Sequence, residues 1–219
     1  MGPRSFLAST IGQKVVMAVT GAILFGFVLG HLAGNLLLYQ GPDAINAYGH
    51  ELRTFLHGAA LPLARVTLLL AVVLHIWAAC SLTVRNVQAR PHGYRQLASQ
   101  ASTYASRTMR WSGVIVLAFV VYHLMHFTFG NVHPSFVEGD VYHNVVAGFR
   151  VWPVALFYVF AMVLLGLHLN HGVWSMFQSI GVNHPRYTPM LKKLAAYSSI
   201  LLVLGFISIP IAVATGVMS

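Results

Sequence analysis

Apolar residues fall into five long stretches, separated by shorter segments that collect polar residues, glycine and proline. The stretches cover about 15–39, 61–84, 111–130, 151–180 and 194–218. Each is close to or above the roughly 20 apolar residues with which an α-helix crosses the hydrocarbon core of a bilayer. The pattern therefore predicts an all-α fold, an integral membrane bundle of five transmembrane helices.

Turn residues and tryptophans mark the ends of these spans. Trp111 and Trp152 begin the third and fourth spans, and amphipathic aromatic side chains favour the headgroup region of a bilayer. Glycine, proline and asparagine punctuate the connections at about 40–60, 85–110, 131–150 and 181–193. No low-complexity linker divides the chain, so residues 1–219 are predicted to form one domain.

Composition and charge agree with a membrane protein and orient it. The chain is 57% hydrophobic and only 8% charged, whereas about a quarter of the residues in a soluble domain are charged. With a cytoplasmic N-terminus and an external C-terminus, only Arg53, Arg65 and Arg150 of the 13 basic residues lie outside. We therefore predict a multi-pass protein of the inner, cytoplasmic membrane. The net charge of +9 then reflects topology and a docking surface for a cytoplasmic partner, with no role in binding nucleic acid.

A lone cysteine limits the redox and metal chemistry of the chain. Cys80 is the only cysteine. That excludes a disulfide within the chain, a cysteine-ligated zinc site, an iron–sulfur cluster and the CxxCH attachment of a c-type haem.

Histidines are the ionisable residues that the spans contain repeatedly. Such side chains are costly in a bilayer and mark functional sites there. Each of the first four spans holds at least one, at intervals of 44, 48 and 45 residues between the leading members, and the fifth span holds none. The six histidines are His31, His75, His123, His126, His168 and His171.

Depth sorts the leading histidines into two pairs. Counting at about 1.5 Å per residue from the span ends, His75 and His168 share one level in the cytoplasmic half. His31 and His123 share another in the outer half. Two facing pairs at two depths are what two haems require, because each iron takes two axial imidazoles on opposite faces of the ring.

Two further features leave alternatives open. His126 and His171 each follow a proposed ligand by three residues, so either could replace it, or could bond haem propionates, quinone or a neighbouring helix. Glycines beside the ligands are explained both by close helix packing and by space for a flat porphyrin. These glycines are Gly26, Gly30, Gly34, Gly166 and Gly172.

The chain resembles the cytochrome b558-type membrane anchor subunit of di-haem succinate:quinone oxidoreductases and quinol:fumarate reductases. The likeness covers essentially the whole chain and rests on "IGQKVVMAVTGAILFGFVLGHLAGN", "INAYGHELR" and "HLNHGVWSMF". By this resemblance the axial ligands are His31 in "LGHLAGN", His75 in "VLHIWA", His123 in "VYHLMHF" and His168 in "GLHLNHG". The family pairs the first span with the third, for the distal haem, and the second with the fourth, for the proximal haem.

The resemblance also implies a function. A flavoprotein would oxidise succinate, an iron–sulfur protein would relay the electrons, and this succinate dehydrogenase subunit would pass them through two b haems to a quinone. No residue of this chain is then catalytic toward succinate. A fumarate-reducing branch carries a glutamate where this chain has Gly166. The departure favours succinate oxidation with menaquinone as acceptor, and leaves a quinol:fumarate reductase anchor as the alternative.

The quinone site is expected near the outer haem. The resemblance suggests Glu51, with His50 or Arg53 nearby, because quinone reduction takes up protons and family members carry a glutamate in this region. The competing interpretation is a solvated acid paired with Arg53.

Two other classes compete with this reading. Cytochromes of the b561 group and nitrate reductase anchors concentrate two histidines on each of two helices. A transporter would show intramembrane acids or broken helices at the midplane. One histidine on each of four helices disfavours the two cytochrome groups. Against a transporter, no span contains an acid, and Pro210 is the only proline well inside a span.

Overall fold

The computed structural model describes residues 6–89 and 104–219, and all regular structure in these ranges is helical. The α-helices of the described residues are α1 (Thr10–Asn35), α2 (Pro42–Thr54), α3 (Ala60–Gln88), α4 (Tyr104–His123), α5 (Val141–Arg150), α6 (Trp152–Ser179) and α7 (Thr188–Ala214). The predicted all-α class is confirmed. Residues 90–103, with most of the predicted basic docking loop, lie outside the described residues.

Within the described ranges, five helices are long and apolar enough to cross a membrane, which confirms the predicted five-span fold. The first is α1 extended by a 3₁₀ turn, Leu36–Gln40, and the third is α4 extended by a π-helical turn, Leu124–Thr128. The other three are α3, α6 and α7. Helix α1 begins earlier than its apolar stretch because Ser9 caps it, accepting a hydrogen bond from the Gly12 N–H.

Two shorter helices, α2 and α5, occupy connections that the sequence analysis treated as loops. Both carry start signals that were overlooked: Pro42 opens α2, and the Asp140 carboxylate caps α5 by accepting from the His143 N–H. Asn46 on α2 joins them, because its amide donates to Asp140 and its oxygen accepts from the Tyr142 N–H. We call α2 and α5 together the cap.

The Asp140 carboxylate is held in its ionised form. The backbone N–H of His143, followed by the side-chain amide of Asn46, donates to it, and these hydrogen bonds lower the pKa of Asp140. The charge thus strengthens both the start of α5 and its link to α2.

The spanning helices pack in a definite order. Helix α1 packs against α3 and α6, while α6 packs also against α4 and α7. Within the described residues, the backbones of α1 and α4 do not pack closely, and neither do those of α3 and α6. The two helices of each pair lie on opposite sides of the bundle interior. The largest buried core lies at the cap end and includes Leu38, Ile45, Val145, Phe149 and Tyr158.

Candidate functional site

Four histidines meet in two pairs across the interior of the bundle. The ring centroids of His75 on α3 and His168 on α6 are 6.4 Å apart, and those of His31 on α1 and His123 on α4 are 5.8 Å apart. A metal ion held between two imidazole nitrogens, each at roughly 2 Å, separates the ring centroids by about 6 Å. Both pairs therefore have a separation that suits an iron with two axial imidazoles.

The two pairs lie at different levels of the bundle. A methyl group added at Gly21 of α1 would touch the His75 ring, and one added at Gly113 of α4 would touch the His168 ring. Each glycine stands ten residues before the histidine of its own helix, His31 or His123, which is about 15 Å along the helix axis. The two pairs therefore lie at two levels along the bundle.

A hydroxyl group on α1 fixes the orientation of His75. Thr20 Oγ1 lies 2.7 Å from the Val16 carbonyl, to which it donates its single proton. Its oxygen, 3.1 Å from His75 Nδ1, must then accept from an Nδ1–H. The assigned tautomer leaves the Nε2 lone pair of His75 available to a metal.

The same arrangement recurs between α4 and α6. Ser112 Oγ donates to the Met109 carbonyl at 3.0 Å and lies 3.5 Å from His168 Nδ1. Ser112 is buried, so its hydroxyl is not solvated by bulk water. The longer distance indicates a weaker contact than the one from Thr20 to His75.

The His31–His123 pair has aromatic surroundings. The Phe27 ring stacks on His31 at 5.3 Å, and Phe206 lies 6.0 Å from it. The Tyr158 hydroxyl of α6 is 3.4 Å from His123 Nδ1. Among the described residues, the hydroxyl group beside this pair is thus that of Tyr158 on α6, which packs against α4.

His126 forms a hydrogen bond to a neighbouring helix, which was one of the alternatives left open for it. It is fully buried, and its Nδ1 lies 3.0 Å from the Tyr158 hydroxyl. Its ring also packs 4.9 Å from that of His133, while its Nε2 has no hydrogen-bond partner among the described residues. His171 is partly buried, one turn beyond His168.

Two explanations were offered for the glycines near the histidines, close helix packing and space for a flat porphyrin, and different glycines match each. A side chain at Gly34 would overlap the Tyr48 ring, and one at Gly166 would overlap Val203 of α7, so these two serve close packing. A side chain at Gly26 or Gly30 would enter open space. Gly166 thus joins α6 to α7 closely, in a position that cannot admit a larger residue without a shift.

Glu51 lies exposed on α2, near the end of the cap helix, and His50 beside it is also exposed. Arg53 donates to the Gly49 carbonyl at 3.0 Å. Among the described residues no ion pair joins Glu51 to Arg53, so the interpretation of a paired loop acid receives no support.

The sequence analysis missed three hydroxyl-bearing residues: Thr20, Ser112 and Tyr158. A signal for the first two is present in the chain. "MAVTG" at 17–21 and "MRWSG" at 109–113 share Met, then Thr or Ser, then Gly, and each precedes a His-Leu pair by the same interval.

Residues 86–213 match the sequence profile of a protein family described as the succinate dehydrogenase/fumarate reductase transmembrane subunit. The chain belongs to this family. It is therefore a multi-pass membrane subunit of an oxidoreductase complex, and the b561, nitrate reductase and transporter alternatives are set aside. Neither the curated proteins nor the solved structures gave a match.

The residues present fit a haem at each pair. Within residues 6–89 and 104–219, no three histidine, cysteine, aspartate or glutamate side chains converge on a common point, so a bare metal ion has no ligand cluster there. The histidines instead meet in twos, the ligand number that haem iron takes from protein in an electron-transfer site. His75 and His168 would hold one haem, and His31 and His123 the other.

Proposed function

We propose that this chain is the di-haem cytochrome b anchor of a succinate:quinone oxidoreductase. It passes electrons from an iron–sulfur subunit to a quinone, with menaquinone as the expected acceptor. The observation that carries the proposal is the meeting of two histidine pairs, from facing helices and at two levels, in a member of this family.

When bound, the haems would supply reversible one-electron transfer. Each pair of imidazoles would hold one iron, and two protein ligands would leave no position on it for a substrate. The Thr20 hydroxyl and the aromatic rings around His31 hold the imidazoles in place, so that the ligands need little rearrangement when the charge of the iron changes.

The two sites form a relay from one membrane surface toward the other. With the N-terminus in the cytoplasm, the His75–His168 pair lies nearer the cytoplasmic face, where the iron–sulfur and flavoprotein subunits dock. The His31–His123 pair lies nearer the cap and the outer surface. Electrons from the iron–sulfur subunit would then reach the first pair before the second.

The packing at Gly166 supports succinate oxidation over fumarate reduction. A carboxylate at this position would overlap Val203 of α7. The described spans contain no aspartate or glutamate that would replace it in a proton route through the membrane. The alternative direction, a quinol:fumarate reductase, has no comparable observation in its favour.

Quinone reduction is proposed at the cap end, with Glu51 delivering protons. Glu51 is exposed on α2, so it can exchange protons with the outer aqueous phase, and His50 and Arg53 share its helix. Its electrons would come from the His31–His123 pair, the pair nearer the cap.

Purification of the complex tests this function. We expect co-purifying flavoprotein and iron–sulfur subunits, a haem α-band on reduction with dithionite, and two b haems per chain by pyridine haemochrome assay. A complex without an α-band would overturn the proposal, and a single haem would overturn its two-site form.

A further inference from the structure

We propose that Thr20 and Ser112 are positioning residues for the haem of the His75–His168 pair. Each orients the histidine of the next spanning helix through the Nδ1 of that histidine. The inference rests on the proposed function, because it takes His75 and His168 as iron ligands. It adds two residues and a duplicated motif that hold them, Met-x-x-Thr/Ser-Gly.

The hydrogen bonds around Thr20 determine the direction in which His75 points. The hydroxyl proton is directed to the Val16 and Met17 carbonyls, at 2.7 and 3.2 Å, so the oxygen can only accept from the imidazole. This contact favours a proton on Nδ1, which leaves the neutral Nε2 as the nitrogen that would bind the iron.

Ser112 repeats two of the Thr20 contacts, one to its own helix and one to a histidine. Its hydroxyl donates to the Met109 carbonyl at 3.0 Å. The hydroxyl oxygen is 3.5 Å from His168 Nδ1, against 3.1 Å for the equivalent contact of Thr20. A change at Ser112 should therefore act in the same direction as one at Thr20 and be smaller.

The glycine after each hydroxyl allows the imidazole to come close to the helix. A methyl group at Gly21 would lie 3.5 Å from His75 Cε1, and one at Gly113 would lie 3.4 Å from His168 Cε1. Alanine therefore fits at either position in ordinary van der Waals contact. A side chain as large as leucine would push the ring away, so each position requires a small residue.

Hydroxyl groups in membrane helices commonly bond only to their own backbone, and Ser199 offers that case as a control. It is buried on α7 and donates to the Ala195 carbonyl at 2.6 Å. Thr20 and Ser112 differ from Ser199 because each also faces an imidazole nitrogen from another helix. A purely structural hydroxyl predicts no effect on the spectrum of a haem.

The test compares Thr20→Val, Thr20→Ser and Ser199→Ala in the purified complex, by low-temperature EPR of the ferric haems and by redox titration. Valine retains the shape of threonine without its oxygen. We expect Thr20→Val to shift the g values of the His75–His168 haem and to raise its midpoint potential, since the imidazole becomes a weaker donor to ferric iron. Haem transfer to excess apomyoglobin should accelerate about 10-fold. The serine variant and Ser199→Ala should match the wild type.

A second pair of variants, Ser112→Ala and Ser112→Thr, keeps the test decisive if Thr20→Val does not assemble. The alanine variant should shift the same haem in the same direction, and the threonine variant should not. Unchanged spectra and potentials in Thr20→Val or Ser112→Ala, or a shift confined to the other haem, would overturn the inference. Failure of the proposed function is distinct, because the wild-type complex would then lack haem before any variant is made.

Discussion

The two histidine pairs are alike in geometry and different in surroundings. Each ring of the His75–His168 pair lies beside a hydroxyl of the preceding spanning helix, next to a glycine that leaves room for the ring. The His31–His123 rings lie instead among phenylalanines and a tyrosine. The same ligand chemistry is thus held by hydrogen bonds at one level and mainly by packing at the other. A variant can consequently be expected to disturb one haem and spare the other.

Removal of a ligand should have the largest effect. Replacing His75 or His168 with leucine leaves an apolar surface that cannot bind iron, so the haem of that pair should be lost while the other remains. His31→Leu or His123→Leu should give the converse loss and stop electron delivery to quinone. Haem content by pyridine haemochrome, with EPR to identify the remaining haem, measures both outcomes.

His126→Leu and His171→Leu are the matched controls for the ligand variants. Each lies three residues beyond a proposed ligand, and both variants should retain two six-coordinate haems. Iron bonded to His126 or His171, or a ligand variant that removes both haems equally, would contradict the pairing.

Glu51→Gln should slow quinone reduction by about 10²-fold, the range in which positioned acids and bases contribute. Because Glu51 is on the cap, both haems should stay intact and the His75–His168 haem should be reduced by succinate at its normal rate. Stopped-flow measurement of haem reduction and of quinone turnover separates these steps. Asp43→Asn, on the same helix, serves as the control; an unaffected turnover in Glu51→Gln would remove Glu51 from the site.

Tyr158→Phe should affect only the aromatic pair. With iron on His123 Nε2, its Nδ1–H donates to the Tyr158 oxygen, and the Tyr158 proton is then donated to His126 Nδ1. The variant leaves a buried His126 nitrogen without its partner, at about 1–3 kcal/mol of stability. The midpoint potential of the His31–His123 haem should shift, whereas Tyr122→Phe should change it less. A shift in the other haem would contradict this assignment.

Substitution of Asp140 in the cap should have the smallest effect, a loss of cap stability that depends on pH. Since hydrogen bonds lower the pKa of Asp140, its contribution to cap stability is complete above about pH 4. It is lost as the pH falls through the lowered pKa. Asp140→Ala should cost about 1 kcal/mol and loosen α5 at neutral pH. Hydrogen exchange of the α5 amides measures this, and a pH dependence that persists in Asp140→Asn would show that another group is responsible.

The spans and the pairing of histidines followed from sequence because both depend on regular helix geometry. A run of apolar residues fixes a span, and the rise per residue converts the position of His75 or His168 into a depth. The cap was missed because α2 and α5 are too short for that pattern. Their presence rests on local signals at Pro42 and Asp140, which are easily taken for turns.

The hydroxyl contacts could not be predicted from spacing alone. Thr20 and His75 are 55 residues apart, and threonine is ordinary in a membrane helix. Only the recurrence of the same residues before His31 and His123 carries information about them. The roles of the glycines could not be predicted from the sequence either. Gly166 and Gly30 each lie close to a proposed ligand in the sequence, but Gly166 packs against α7 whereas Gly30 faces open space.

The pairing of histidines also has a consequence for symmetry. His31 and His123 occupy similar positions in the first and third spans, and His75 and His168 in the second and fourth, so that each lies opposite its counterpart. Equivalent residues meeting in this way are typical of an isologous two-fold interface, in which a residue contacts its own copy. The first two spans thus supply one member of each histidine pair. Two copies of such a two-span unit, side by side in the membrane, would bring the same pairs together.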